Sequence, residues 1–329
     1  MNIVNQDCNR DIVTIARTVN LSPDIPNVIA ATRDFLPGLK TSADLVPFRE
    51  VGGRADLYRA ALREKAPRVA CLADDVSRRF ESGTMAAILP SLGVEDQPLE
   101  CQRYVLFALG NLLGTPTATE PRDRRVLWDV KPRTTTSGQF ATFSETDDEA
   151  EFHTDSAFTP DPEPIFFLYV VQAARCDGGM SYFANGRRVR DRLMQTSIGR
   201  DAVHMLCRAK VPFRIPPAFS RDPDVAEYST ATVFGERPLI RFRRDVILRA
   251  LDANPAPGND EIRDAVKLVA DVAFSLKTTD RKLPTGSIAF VDNHTALHGR
   301  SRFSDAKRHL IRVRVAAQSC VPTNVQAAA

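Results

Sequence analysis

Cysteine is scarce in this sequence and follows no pattern that indicates a metal-binding or disulfide scaffold. Six cysteines are spread over 329 residues, and no two of them form a C-x-x-C pair. They are Cys8, Cys71, Cys101, Cys176, Cys207 and Cys320. Zinc-finger and thioredoxin-type sites need closely spaced cysteines, and small disulfide-rich domains need a much higher density of them. The sequence therefore excludes these classes, and we expect buried free thiols.

Long hydrophobic runs are also lacking. The longest apolar run, residues 165–171, is far shorter than the roughly 18 to 20 residues that a membrane span requires. The first residues, MNIVNQDCNRDIV, contain no basic segment followed by an apolar stretch, so they predict no secretory signal. We therefore expect a cytoplasmic protein without a membrane partner.

No charge of one sign dominates the chain. The 44 basic and 41 acidic residues give a net charge of +3, and the basic residues are scattered. This balance gives no support for a nucleic-acid partner. With 43% hydrophobic and 26% charged residues, the composition is typical of a folded globular protein and not of a disordered chain.

The spacing of apolar residues divides the chain into a helical first third and a β-rich remainder. Apolar residues recur at helical spacing over residues 56–81, where Pro67 predicts a break, and over residues 99–113. Short segments rich in β-branched and aromatic residues then predict strands: RRVLWDVKP, GQFATFS, EPIFFLYVVQAA, GMSYFANG, ERPLIRFRRDVI, TGSIAFVDNHTALHG and RHLIRVRVAA. We predict a single domain over residues 1–329, with a mainly helical flank over 1–115 and a β core over 116–322 that has a helical insertion near 260–275.

Two histidines and one aspartate are candidate metal ligands. His153 and Asp155 lie two positions apart in EFHTDSAF. Side chains at i and i+2 of an extended segment project from the same face, so both could hold one ion. A third ligand would come from the distant VDNHTALHGR, which offers His298 and, by spacing alone, His294. Two imidazoles and one carboxylate on one side of a metal, with the other positions open, are the ligand set of non-haem Fe(II) oxygenases.

A wider pattern surrounds these candidates. The segment CDGGMSYFANG follows the H-x-D motif, and near the C-terminus a D-N pair and a histidine precede two arginines spaced by four. The residues concerned are Gly178, Gly179, Ser181, Asp292, Asn293, His298, Arg308 and Arg312. In this order, over residues 139–315, the pattern resembles the Fe(II)/2-oxoglutarate-dependent oxygenases of the taurine dioxygenase and clavaminate synthase-like type. The D-N element and the following H-G-R favour His298 over His294 as the distal histidine.

The resemblance implies a fold and a metal site. The fold would be mainly β with flanking helices, built on a double-stranded β-helix, a jelly-roll or cupin-like core of two facing sheets. His153, Asp155 and His298 would bind Fe(II) and carry the catalysis. The open positions on the metal would take the co-substrate 2-oxoglutarate and O2.

The resemblance also gives binding roles to other residues. Arg308 would pair with the distal carboxylate of 2-oxoglutarate, because a guanidinium can meet a carboxylate through two parallel hydrogen bonds, and Ser181 would hydrogen-bond to the same group. Arg312 lies four residues further along the same strand and faces the same way, so it would bind an anionic group of the primary substrate. Gln139, before the metal motif, is a further candidate for contact with the substrate or with iron-bound ligands.

The implied reaction is hydroxylation of an unactivated C–H bond of a small carboxylate-bearing metabolite. An anionic group on Arg312, combined with the acidic run SETDDEAE interpreted as a lid that prefers a cation, indicates a free amino acid or a derivative in specialised metabolism. The acidic run is otherwise a solvated loop. The alternatives are a desaturase or cyclase of the same family, a catabolic dioxygenase of a sulfonate or aryloxy acid, a metallo-barrel enzyme without 2-oxoglutarate, and a binding module.

Overall fold

Helices and strands alternate through the protein, and the computed structural model describes residues 11–15, 19–48, 54–133 and 140–318. The strands are β1 (Ile12–Thr14), β2 (Ala86–Leu89), β3 (Thr115–Pro116), β4 (Trp128–Val130), β5 (Ala150–His153), β6 (Ile165–Gln172), β7 (Ser181–Asn185), β8 (Val211–Arg214), β9 (Tyr228–Ala231), β10 (Ile288–Asp292), β11 (Ala296–Arg300) and β12 (His309–Ala316). The α-helices are α1 (Ile25–Phe35), α2 (Ala55–Lys65), α3 (Pro67–Glu81), α4 (Leu99–Leu113), α5 (Gly186–Leu193), α6 (Ser197–Leu206), α7 (Arg244–Ala253) and α8 (Asn259–Ser275).

The helices of the first third follow the spacing of apolar residues. The predicted break lies between α2 and α3, because Pro67 begins α3 in the first turn, where its missing N–H is not needed. Helix α4 spans the predicted residues, and its residues 104–112 are all buried because apolar side chains surround the helix. The helical insertion is α8. These sequence predictions are confirmed.

The larger sheet separates the helical flank from the side that carries the motif residues. Its strand order is β1-β2-β10-β6-β12-β3, and β4 also pairs with β12. Along β6, Phe167 and Tyr169 pack in the hydrophobic cluster that contains α1 to α4, whereas Phe166 and Val170 belong to the other cluster. Successive side chains of a strand point to opposite faces, so one face of this sheet is covered by the helices and the other faces the site.

The smaller sheet carries the metal motifs. Its strands lie in the order β5-β11-β7 and are antiparallel, while β8 and β9 form a separate pair. Strand β5 ends at His153, and β11 contains His298. Between β10 and β11, the carboxylate of Asp292 accepts hydrogen bonds from the backbone N–H of His294 at 2.9 Å and from the hydroxyl of Thr295 at 2.8 Å. This turn leads the chain from the larger sheet directly into the smaller one.

The fold is a mixture of helix and sheet and not the mainly β fold that the sequence predicted. Among the described residues, helices contain 37% and strands 20%. ERPLIRFRRDVI, predicted as a strand, forms isolated bridges and the start of α7, whose buried residues follow helical spacing. Helix α5 was not predicted either, although Asn185 caps it by accepting a hydrogen bond from the backbone N–H of Arg187. Among the described helices, none combines the length and apolar character needed to cross a membrane.

Candidate active site

The candidate metal site begins at the end of β5. His153 is the last residue of that strand, and the backbone N–H of Thr154 donates to the carbonyl of Phe242 at 2.7 Å. Ser156 has a φ of +55°, a left-handed conformation that turns the chain directly after Asp155. The side chains of His153 and Asp155 line the same pocket before the chain turns away.

Strand β11 brings the third residue to this pair. His298 lies opposite His153 in the antiparallel register of β11 and β5, and the two ring centroids are 4.2 Å apart. The Nε2 atom of each histidine is 3.9 Å from Oδ1 of Asp155. Candidate ligand atoms of these three buried residues all lie within 4.8 Å of one another. The structure therefore places together the three residues that the sequence singled out.

Asn293 holds the backbone of Asp155 in place. Its Oδ1 accepts a hydrogen bond from the N–H of Asp155 at 2.8 Å, and its Nδ2 donates to the carbonyls of Asp155 at 3.0 Å and Glu163 at 2.8 Å. Only 1% of Asn293 is exposed. Buried amides that satisfy several backbone groups fix the local geometry. Asn293, in the turn before the strand that carries His298, thus holds Asp155 in position.

Both imidazoles are neutral at pH 7. The Nδ1–H of His153 donates to the carbonyl of Glu151 at 2.8 Å, which leaves the lone pair on Nε2. Burial lowers the pKa of His153 to about 4 and places the pKa of His298 well below its usual value. Neutral imidazole is the form that binds a metal ion, so both rings are prepared for that role.

The carboxylate of Asp155 is ionised and contacts two arginines. The Nη1 atom of Arg312 donates to it at 3.1 Å, and Nε of Arg314 lies 3.4 Å from Oδ2. Burial acts to raise the pKa of Asp155, but the guanidinium groups of Arg312 and Arg314 outweigh it and hold the pKa well below its usual range. Two neutral imidazoles and one carboxylate on one side of a pocket fit a divalent transition metal with open coordination positions.

One pocket joins the three candidate ligands to the predicted co-substrate and substrate residues. Ser181, Arg308 and Arg312 line it together with the triad, and much of its remaining wall is apolar. Arg308 is 6% exposed, and its Nη1 has no hydrogen-bond partner among the described residues. Burial, with a smaller effect from the charge of Arg300, lowers the pKa of Arg308 to about 9, so it remains a cation at pH 7. A buried guanidinium with an unused donor fits a carboxylate ligand.

The GG element allows the chain to pass close to Arg308. A Cβ on Gly178 would lie 2.1 Å from the carbonyl oxygen of Arg302, which leaves no space for a side chain. Gly179 has a φ of +73°, and a Cβ there would lie 3.3 Å from Nε of Arg308. Both positions therefore require glycine, the first for close approach and the second for its backbone conformation.

His294 and Gln139 are the two remaining site candidates from the sequence. His294 lies outside the triad, because its Nε2 donates to the carbonyl of Pro162 at 2.9 Å. Gln139 lies outside the described residues.

The acidic run before His153 is engaged with neighbouring side chains. Glu145 pairs with Arg133 at 3.0 Å, Asp148 with Arg302 at 2.6 Å, and Glu151 with Arg244 at 3.2 Å. Glu149 accepts a hydrogen bond from the Tyr182 hydroxyl at 2.9 Å. These contacts give the run a structural role, and they do not favour a lid that selects cations.

Sequence reasoning missed two arginines of the site. Arg300 lies two residues after His298 and lines the same pocket, and Arg314 lies two residues after Arg312 and contacts Asp155. The alternation of side chains along β11 and β12 was the available signal, since residues at i and i+2 share a face. The motif spacing drew attention to Arg308 and Arg312 alone.

Comparisons with known proteins give one family match and a set of similar folds. A model of the family described as "Taurine catabolism dioxygenase TauD, TfdA family" matches residues 92–314. No curated protein matches significantly. Among solved structures, asparagine oxygenase in complex with Fe(II), 2S,3S-3-hydroxyasparagine and succinate is 19% identical, with 94% of each chain covered and a TM-score of 0.66. The non-heme iron oxygenase OrfP in complex with Fe and alpha-ketoglutaric acid is 17% identical, with 93% of this chain and 94% of that chain covered and a TM-score of 0.59.

The structural similarity and the family match support different statements. At such identities, the solved structures show a shared fold. The family match extends over more than half of the sequence, from residue 92, before helix α4, to residue 314, within strand β12. The chain therefore belongs to the taurine catabolism dioxygenase TauD, TfdA family.

Proposed function

We propose that the protein is a non-haem Fe(II)- and 2-oxoglutarate-dependent dioxygenase that hydroxylates an unactivated C–H bond of a small carboxylate-bearing metabolite. A free amino acid is the first substrate class to test. The observation that carries this proposal is the convergence of a buried His153–Asp155–His298 cluster with Arg308 and Arg312 on one pocket. Few other functions need a facial metal site beside two separate carboxylate-binding arginines.

The three ligands would bind iron through Nε2 of His153, Nε2 of His298 and the carboxylate of Asp155. The neutral imidazoles and the ionised carboxylate need no proton loss at pH 7 before a metal binds. When bound, Fe(II) supplies the oxygen chemistry, in which 2-oxoglutarate is converted to succinate and CO2. The protein holds the ligands in position through the β5–β11 pairing and the Asn293 contacts.

Arg308 would hold the distal carboxylate of 2-oxoglutarate. Its unpartnered Nη1, its burial and its place on the pocket wall support this role. Ser181, at the start of β7, lines the same pocket and would add a hydroxyl donor. The apolar wall would exclude water from the reacting groups.

Arg312 would bind the carboxylate of the primary substrate. Its Nη1 contacts Asp155, whereas its Nε and Nη2 are buried and have no partner among the described residues. Arg312 would thus place the substrate beside the metal ligand and orient the Asp155 carboxylate at the same time. Asparagine oxygenase and OrfP, whose complexes contain hydroxyasparagine and hydroxyarginine, support an amino acid as the substrate class. Gln139 remains a candidate for substrate contact.

The proposed architecture is a double-stranded β-helix. The larger sheet and the β5-β11-β7 sheet would be its two faces, with the pocket between them and the flank of α1 to α4 outside. We propose that residues 1–329 form one domain, with the oxygenase core over 116–322. A cytoplasmic location remains a prediction from the sequence.

The experiment is a substrate panel assayed by succinate release. The Fe(II)-loaded protein is incubated with 2-oxoglutarate and O2 in the presence of each protein amino acid, with taurine and an aryloxy acid as comparison substrates. We expect one or a few amino acids to stimulate succinate release and to gain the mass of one oxygen atom. Stimulation by the sulfonate or the aryloxy acid alone would support the catabolic alternative. A product lacking two hydrogen atoms would indicate desaturation or cyclisation.

A further inference from the structure

Arg300 is placed beside the predicted co-substrate residues by strand register. In the pairing of β11 with β7, Arg300 lies opposite Ser181, while His298 lies opposite Phe183. Arg300, Ser181 and Arg308 all line the pocket of the metal triad. Arg300 is 7% exposed. The resemblance to the oxygenase family assigned roles to Ser181 and Arg308 but none to Arg300.

The contacts of Arg300 use only some of its donors. Its Nη2 donates to the backbone carbonyls of Thr146, at 3.3 Å, and Asp148. Its guanidinium lies over the Phe303 ring, 4.6 Å from the centroid, and that of Arg308 lies 4.9 Å from the same centroid. The Nε atom of Arg300 is buried and has no hydrogen-bond partner within the described part of the chain.

Neither of these two cations has a carboxylate partner. Among the described residues, Arg300 and Arg308 form no ion pair, and the carboxylate of Asp148 pairs with Arg302 instead. Buried charges without a counter-ion are costly, so this end of the pocket favours an anionic ligand.

We propose that Arg300 is a second guanidinium for the distal carboxylate of 2-oxoglutarate and binds it together with Arg308. This inference rests on the proposed 2-oxoglutarate dependence of the same site. The free Nε of Arg300 and the free Nη1 of Arg308 supply the donors, and the two carbonyls of residues 146 and 148 hold the Arg300 side chain in place. The competing explanation is that Arg300 has only a structural role, in which its hydrogen bonds connect the acidic run to strand β11.

The test compares two 2-oxo acids that differ at the end that Arg300 would bind. 2-Oxoglutarate has a distal carboxylate, whereas 2-oxovalerate has the same chain length and a methyl end. Binding of each to the Fe(II)-loaded protein is measured anaerobically by calorimetry, in wild type, Arg300→Gln and Arg300→Lys. The control is Arg302→Gln, because the Arg302 side chain is 76% exposed and pairs with the same acidic run.

The expected result is a selective loss. Arg300→Gln should weaken 2-oxoglutarate binding about tenfold or more, the effect of removing a charge-assisted hydrogen bond, and leave 2-oxovalerate binding unchanged. Arg302→Gln should change neither. An equal loss for both acids, or no loss, would overturn the inference and leave Arg300 with the structural role. If Arg300→Gln does not fold, the deciding measurement is the affinity for 2-oxoglutarate relative to that for 2-oxovalerate in Arg300→Lys. Wild-type protein that binds iron but not 2-oxoglutarate would refute the proposed function itself.

Discussion

Replacing Asn293 with alanine should destabilise the fold and weaken metal binding together. The side chain makes three hydrogen bonds of 2.8 to 3.0 Å to the backbone of Asp155 and Glu163, and it is 1% exposed. A buried polar group left without its partner costs about 1 to 3 kcal/mol, so the variant should lose about 3 kcal/mol or more in its free energy of unfolding. Residues that orient a metal ligand typically contribute 10- to 100-fold in metal affinity, and we expect a loss in that range for Fe(II).

Chemical denaturation and anaerobic Fe(II) titration measure these two effects. Asn254→Ala is the matched control, because Asn254 is exposed and its side-chain amide donates to the carbonyl of Ala250 far from the metal motifs in sequence. The control should lose no more than about 1 kcal/mol and keep its iron affinity. Wild-type stability and wild-type iron affinity in Asn293→Ala would refute the reasoning that the D-N element anchors Asp155.

Three further predictions concern single residues. His298→Ala should abolish Fe(II) binding in an anaerobic titration, whereas His294→Ala should retain it; the reverse would exchange their roles. Gly299→Ala should lower the melting temperature by several degrees, since its Cβ would lie 2.1 Å from the Tyr182 ring, and an unchanged melting curve would show that this packing relaxes freely. Arg312→Ala should raise the KM for the amino acid substrate at least tenfold with a smaller change for 2-oxoglutarate, and steady-state kinetics that change neither constant would make the residue structural.

The metal triad was predictable because its members occur in sequence-local motifs. His153 and Asp155 lie two positions apart in one short motif, which was enough to group them, although strand β5 ends at His153 and Asp155 lies in the turn that follows. The pairing of His298 with His153 is a long-range contact between β11 and β5, and residue spacing alone does not encode it. The order of the flanking elements, through the family resemblance, supplied that information.

The supporting contacts of the site were not predictable in the same way. The bonds from Asn293 to Asp155 join residues 138 positions apart, and they depend on the turn between the two sheets. The hydrogen bonds of Arg312 and Arg314 to Asp155 depend on which face of β12 borders the pocket. Alternation along a strand implies that residues two positions apart share a face, but only tertiary packing decides what that face contacts.

The fold prediction failed where short segments have an ambiguous pattern. ERPLIRFRRDVI contains aromatic and β-branched residues that favour a strand, yet the chain uses its second half to begin α7. Tertiary packing of the buried face of α7 outweighs the weak local preference. Longer segments with a clear period, such as the residues of α4 and β6, were predicted correctly.

The most direct test of 2-oxoglutarate dependence is anaerobic titration of the Fe(II)-loaded protein with 2-oxoglutarate, in wild type and in Arg308→Ala. Chelation of the metal by the 2-oxo acid gives a weak visible charge-transfer band. Wild type should show this band, and Arg308→Ala should need a markedly higher 2-oxoglutarate concentration for half-saturation. Iron-loaded wild-type protein that shows no band at saturating 2-oxoglutarate would contradict 2-oxoglutarate dependence.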